Sequence, residues 1–253
     1  MTDVLVIGGG VIGLSLAYEL ATAGRQVRLV DRGAVGREAS WAGAGILPPP
    51  PAREDLPAWE KLHTLSYLLH QQWSLQLKEE TGVHNGLQIC GGIHLARRAG
   101  EAAALRADVE KWQQDGIQVH SLLTEDALAD LEPELSVSGA VTSRNAFHLP
   151  AEAQIRNPHH LQALKEACRR KDVEMCAGTA VNGFSCAAGR VIAAIADNER
   201  IEAGQFCLAA GAWSQTLLSD WGLELSVYPV RGQMVLYRCQ TPPVRRIINE
   251  GPR

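Results

Sequence analysis

Gly8, Gly10 and Gly13 stand at the spacing G-x-G-x-x-G, and Asp31 follows about 20 residues later. In that pattern each glycine has a separate physical task. The first permits a tight turn, the second lets backbone approach a pyrophosphate, and the third lets helix and strand pack closely. An acid at the distance of Asp31 accepts hydrogen bonds from ribose hydroxyls. The chemistry is therefore recognition of a dinucleotide. The flanking residues supply the elements that must hold it. Val4 to Ile7 form an apolar run suited to a buried parallel strand. The helix that follows presents unpaired N–H groups and partial positive charge to phosphates. Leu16, Ala17, Leu20 and Ala21 predict its sheet-facing stripe, Gly24 its end, and Val27 to Val30 a second strand. A glycine turn in an ordinary α/β protein would leave Asp31 without a task.

Beyond Asp31, small residues recur at Gly33, Ala34, Gly36, Ala39, Gly43 and Ala44, so backbone there can come close to something flat. Trp41, Ile46 and Leu47 are too apolar for a loop that only meets water, and Pro48 to Pro51 stiffen the exit as extended chain. A long helix is predicted over 57–81 from Trp59, Leu62, Leu65, Leu69 and Trp73. From Gly86 the pattern changes to strand within 86–96, helix over 101–114 and strand over 117–122. A short helix follows, capped by Thr124 with Ala127 where a capping box needs an acid, and then strand over 137–142. This run carries no phosphate-binding turn and is assigned to a second domain. Asn157-Pro158 opens a helix to Lys171, with a strand over 173–176 after it. Segments 180–186, 190–196 and 205–208 read as a meander returning to the main sheet, turning at Ala188-Gly189 and Asp197-Asn198. Phe206 to Ala209 suit a buried strand, Gly211 a turn able to approach a nucleotide a second time, and Trp213 the core. Further strands are expected over 225–228 and 233–237. The domain reading is 1–85 with 150–225, and 86–149 with 226–253.

The 253 residues suffice for one large or two small domains. A formal charge of −4 argues against nucleic acid or an anionic membrane as a partner held by bulk electrostatics. No apolar run reaches the roughly 18 residues of a membrane span. The N-terminus lacks a basic leader and runs straight into the nucleotide-binding strand, so a cytoplasmic location is expected. The six cysteines form no C-x-x-C pair, which points to reduced thiols and no metal site. His159 and His160 are neighbours on a helix and point in different directions, so they are not read as ligands.

Three segments, GGGVIG…LVD, REASWAGAGIL and CLAAGAWS, followed by PVRGQM, together resemble the FAD-dependent D-amino-acid oxidase family, nearest its glycine-oxidising members that serve thiamine biosynthesis. The match runs in order over nearly the whole chain. It implies an α/β fold: an FAD-binding Rossmann-like domain of glutathione-reductase type, with an inserted α+β substrate domain. It also implies FAD as cofactor, a small amino acid and dioxygen as reactants, and a homo-oligomer, a tetramer by family resemblance. Gly8, Gly10 and Gly13 would form the turn, with Val11 and Ile12 making backbone contacts to the pyrophosphate. Asp31, where relatives often carry Glu, would bind the adenosine ribose, with Arg32 beside it. Ala39 and Ser40 resemble contacts to the phosphates and ribityl chain; Ala44, Gly45 and Ile46 the segment along the isoalloxazine ring. Val181 resembles the residue whose backbone touches adenine, and Gly211 the turn of the second approach. Members of the family are usually longer, so the substrate-carboxylate arginine and a final glycine segment have no counterpart here, and no catalytic residue is named.

The resemblance implies oxidation of glycine, or another small amino acid, to the keto acid (glyoxylate), ammonia and hydrogen peroxide. An unprotonated amine needs no side-chain base, so the absence of a His or carboxylate dyad does not oppose it. A sarcosine, amine or D-amino-acid oxidase is the alternative within the class. A catalytically silent flavin-binding fragment is the alternative outside it. An NAD dehydrogenase shares the first turn but leaves Ala39 to Leu47 unexplained.

Overall fold

The computed structural model describes residues 2–122, 124–137, 145–197 and 199–251. Contacts divide the chain into two compact units: Met1–Ala44, Gln76–Asn85 and Asn157–Val235 form the first, and Gly45–Leu75, Gly86–Arg156 and Leu236–Arg253 the second.

In the first unit, β1 (Val4–Ile7), β2 (Val27–Asp31), β9 (Glu174–Ala177) and β13 (Gln205–Leu208) form a parallel sheet in the order β13-β1-β2-β9. The chain leaves β1 toward β2 on one side and comes back to it through β13 on the other, so β1 ends at a topological switch point. Helix α1 (Val11–Thr22) packs against α7 (Asn157–Arg170), with Ala17, Ala163 and Ala167 fully buried at no cost in side-chain bulk. The buried stripe of α1 is Gly13, Leu14, Ala17 and Tyr18 rather than the expected Leu16, Ala17, Leu20 and Ala21. Gly13 must face the strand, and that sets the rotation of the helix.

Leu5, Ile7 and Val30 bury the other face of this sheet against Ala194, Ala196 and Ile201. These come from an antiparallel meander of β10 (Val181–Ala187), β11 (Arg190–Ala196) and β12 (Glu199–Glu202). Ala188 (φ +49°) and Gly189 (φ +73°) make the tight hairpin turn that two consecutive left-handed residues favour. Segment 205–208 joins the parallel sheet, and 199–202 completes the meander in its place.

In the second unit β14 (Ile247–Glu250), β5 (Gly92–Leu95), β7 (Ala146–Leu149) and β6 (His120–Ser121) form a mixed sheet. Helix α4 (Ala99–Gln114) covers one face through Ala102, Leu105 and Val109 against Phe147. The other face, around Ile93, Leu95 and Ala146, packs on Leu128 and Leu131 of α5 (Glu125–Leu131) and Leu135 of α6 (Pro133–Val137). A small sheet pairs β3 (Ile46–Leu47) and β4 (Gln88–Ile89) with β8 (Ala153–Gln154). The expected strand in 86–96 is thus two, broken where Gly91 turns left-handed at φ +77°. Thr124 caps α5 as read, its Oγ accepting from Ala127 N–H at 3.1 Å. Of the strand expected over 137–142, Val137 ends α6 and the remainder lies outside the described residues.

The long helix α3 (Ala58–Thr81) gives its last residues to the first unit, where Tyr18 Oη donates to the Glu80 carboxylate at 3.1 Å. Residues 45–75, expected with the first domain, belong to the second unit. Three links account for this: Ile155 N–H donates to Gly45 O, Ala52 N–H to Asp115 O, and Tyr67 Oη to Ala151 O. Segments 225–228 and 233–237 form no strand among the described residues. Apolar residues alone do not make one, because the ladder needs a partner backbone.

Cys168, fully buried on α7, donates to Leu14 O at 3.5 Å, and burial pushes its thiol up to about 12. The unfolded chain releases this proton at the ordinary thiol value of 9.0, and the folded one holds it longer. Its contribution to stability is therefore whole below about pH 9 and declines as pH rises from there toward about 12. Urea midpoints should fall across this range less steeply in Cys168→Ala than in the unsubstituted chain; equal slopes would rule the effect out.

Candidate functional site

The C-terminal ends of β1, β2 and β13 open into a groove of about 900 Å³ within the first unit. Gly8, Gly10, Val11, Ile12, Asp31, Arg32, Ala39, Ser40, Val181 and Gly211 line it, as do apolar residues between Leu225 and Val230. Gly13 lies behind this wall and closes the helix onto the strand. Ala44 ends a stretch of the first unit and is not among the groove's described lining. Gly45 and Ile46 belong to the second unit, Gly45 left-handed at φ +75° and Ile46 paired with Gln154.

The turn is tight in a way that only glycine allows. Gly8 has φ +108°, and a Cβ there would stand 2.4 Å from Ala209 O. At Gly13 a Cβ would meet Gly8 O at 1.8 Å. At Gly10 the nearest atom to a Cβ is Ser40 Oγ at 3.1 Å, so one side of this residue faces open groove.

Two polar side chains fasten the turn. Asp31 Oδ2 accepts from Gly9 N–H at 2.7 Å, and Oδ1 accepts from Gly33 N–H at 2.8 Å. A carboxylate has about four acceptor sites, so these two bonds leave capacity for a ligand's hydroxyls. Ser40, on the short helix α2 (Ala39–Ala42), accepts through Oγ from Val11 N–H, the first amide of α1, at 2.9 Å. This partners one of the amides that every helix start leaves open. No acidic residue stands in the first turn of α1 to oppose an anion there.

Sequence reasoning missed two residues of this site. Trp213, expected in the core, is 37% exposed and lines the groove, with the Arg32 guanidinium 3.8 Å from its ring centroid. Asn157, read as a helix opener, donates through Nδ2 to Ser40 O at 3.1 Å and so anchors α2 to α7. Its Nδ2 would stand 2.4 Å from a Cβ at Gly43, which gives that glycine a reason. The Trp-Ser pair after a run of small residues was the available signal for the first; the second had none. Among the described residues no group of three or more His, Cys, Asp or Glu could hold a metal ion. No helix among them is long and apolar enough to cross a membrane.

A parallel sheet with a glycine turn at its switch point, an acid closing the second strand and a groove beyond them define an α/β protein of Rossmann type. The FAD dependent oxidoreductase family (DAO) matches residues 3–252, and the chain belongs to that family. It is 35% identical over 247 residues to a glycine oxidase of Pseudomonas aeruginosa, covering 97% of this chain and 65% of that protein. It is 28% identical over 250 residues to a bifunctional protein ThiO/ThiG of Nostoc, covering 97% of this chain and 36% of that one. Among solved structures, glycine oxidase from Geobacillus kaustophilus aligns with a TM-score of 0.86 at 28% identity, over 98% of this chain and 65% of that one. An L-proline dehydrogenase from P. horikoshii shares the fold, at a TM-score of 0.72 and 16% identity. The chain thus spans 65% of the length of the Pseudomonas aeruginosa glycine oxidase.

Proposed function

We propose that the chain holds FAD extended through the groove of its first unit and acts as an oxidase for glycine or a similarly small amino acid. The observation that carries the reading is the switch-point groove, walled by Gly8 and Gly10 and bordered by Asp31 and Ser40. The residues fit the group, because the turn leaves Gly10 open on the groove side and Gly211 meets nothing within 4 Å of a built Cβ. In this reading the start of α1 receives the pyrophosphate, Asp31 the adenosine ribose and Val181 the adenine. Ala39 and Ser40 take the phosphates and ribityl chain. FAD, when bound, would supply acceptance of the two electrons of the substrate's Cα–H bond and their passage to dioxygen. In the balanced reaction glycine, dioxygen and water give glyoxylate, ammonia and hydrogen peroxide. The chain's own residues orient the cofactor and need move no proton if the amine enters unprotonated. The similarity to named glycine oxidases and to a ThiO/ThiG protein supports glycine as substrate and a place in thiamine biosynthesis. Sarcosine, other amines and D-amino acids are the competing substrates. A homo-oligomer, a tetramer by family resemblance, and a cytoplasmic location belong to the same reading.

A second reading, that the chain binds flavin without turnover, is favoured by the exposed apolar residues Tyr228, Val230, Val235, Leu236 and Tyr237. One experiment separates the two. The purified chain is incubated with FAD, desalted, and assayed for flavin absorbance and for peroxide with glycine, sarcosine and D-alanine. Flavin with glycine-dependent peroxide supports the oxidase, and flavin without peroxide supports the silent reading. A colourless chain sinks both.

A further inference from the structure

We propose that Arg32 and Trp213 form a clasp across the crevice which retains the adenosine half of FAD; this deepens the function proposed above and rests on it. Arg32 directly follows β2 and Trp213 follows β13, the strands that flank β1 on its two sides. Neighbouring strands lie about 4.8 Å apart, so β2 and β13 are separated by the full width of β1. The two side chains nevertheless meet, the guanidinium 3.8 Å from the indole centroid. Their stack therefore spans the end of β1, where the glycine turn begins and the crevice opens. Both residues line that groove.

Each partner is held from its own side. Arg32 Nη2 lies 3.5 Å from Glu38 Oε1, just ahead of α2. The Trp213 backbone N–H donates to Ala210 O at 3.1 Å in a short turn that Gly211 enters at φ +55°. Arginine suits this task better than lysine, since its planar cation stacks on an aromatic face while keeping edge donors for a carboxylate. The clasp belongs to the adenosine end, because Arg32 adjoins the acid that marks the ribose there in dinucleotide folds.

The test uses the FAD-free chain and measures equilibrium binding of FAD, ADP and FMN to the unsubstituted protein, Arg32→Gln, Trp213→Leu and the double variant. Each single change should weaken FAD about fivefold, the range of a partly exposed cation–π contact. ADP should weaken by the same factor and FMN should not change. The double variant should bind no more than about twofold worse than either single one, because one interaction is lost once. Multiplying losses, an equal loss for FMN, or unchanged FAD binding would each overturn the clasp. An unsubstituted chain that takes up neither FAD nor ADP would instead overturn the proposed function, a result told apart before any variant is made.

Discussion

Gly13→Ala should cost about 3 kcal/mol of stability, the upper end of what overpacking a close contact costs. For a protein of this size that lowers the melting temperature by roughly 10 °C. The added Cβ would stand 1.8 Å from Gly8 O and 3.3 Å from Val6 Cγ1. The first obstacle is backbone, so no side chain can swing away, and α1 must lift from β1 to make room. That movement would also uncover Leu14 and Ala17, both fully buried. Two comparisons isolate the cause. Gly100→Ala lies in the first turn of α4, meets nothing within 4 Å, and should leave stability unchanged or raise it by up to about 0.5 kcal/mol because alanine is the better helix residue. Gly10→Ala meets only Ser40 Oγ at 3.1 Å, so the fold should persist while flavin uptake falls. Thermal melts of the three variants, with flavin absorbance after reconstitution, decide the matter. If Gly13→Ala melts with the unsubstituted chain, the contact between helix and strand is not what the third glycine provides.

Asp31→Asn should weaken FAD by about a hundredfold, some 3 kcal/mol, if the groove is the cofactor site. The carboxylate accepts two backbone N–H bonds, at 2.7 and 2.8 Å, one oxygen to each. Charge-assisted bonds of this kind contribute about 1.5–3 kcal/mol apiece. An amide of the same shape offers one oxygen and one NH2 group, so either Gly9 or Gly33 would face a donor with a donor. The glycine turn would loosen where the pyrophosphate must lie, and the ribose would lose the acceptor capacity of one oxygen. Titration calorimetry with FAD and with ADP should register the same loss for both. An Asn variant that binds both as tightly as the unsubstituted chain would show that Asp31 contributes to binding neither through the turn nor through the ribose.

How much of this was legible beforehand depends on the distance over which each feature is determined. The turn at Gly8 to Gly13, the cap at Thr124 and the hairpin at Ala188-Gly189 follow from the backbone angles or donors that a few neighbouring residues must supply. The placement of 45–75 was not legible, because the bonds that bring Gly45 to Ile155 and Tyr67 to Ala151 join remote parts of the chain. The same holds for 225–228 and 233–237, where apolar residues suited a strand but none forms among the described residues. The phase of α1 was misread for a related reason: composition favoured Leu16 and Leu20, whereas the close approach of Gly13 to β1 turned Leu14 and Tyr18 inward.

By itself the sequence determined the Rossmann-type start, the acid at the end of β2 and the family, since these are carried by residue types at short and regular spacing. Only the tertiary structure decided that Ser40 meets the first amide of α1, that Asn157 holds Ser40, and that Arg32 stacks on Trp213. A side chain's partner is whichever group the fold brings within reach, and chains far apart in sequence acquire that nearness only when the sheet order places their ends together.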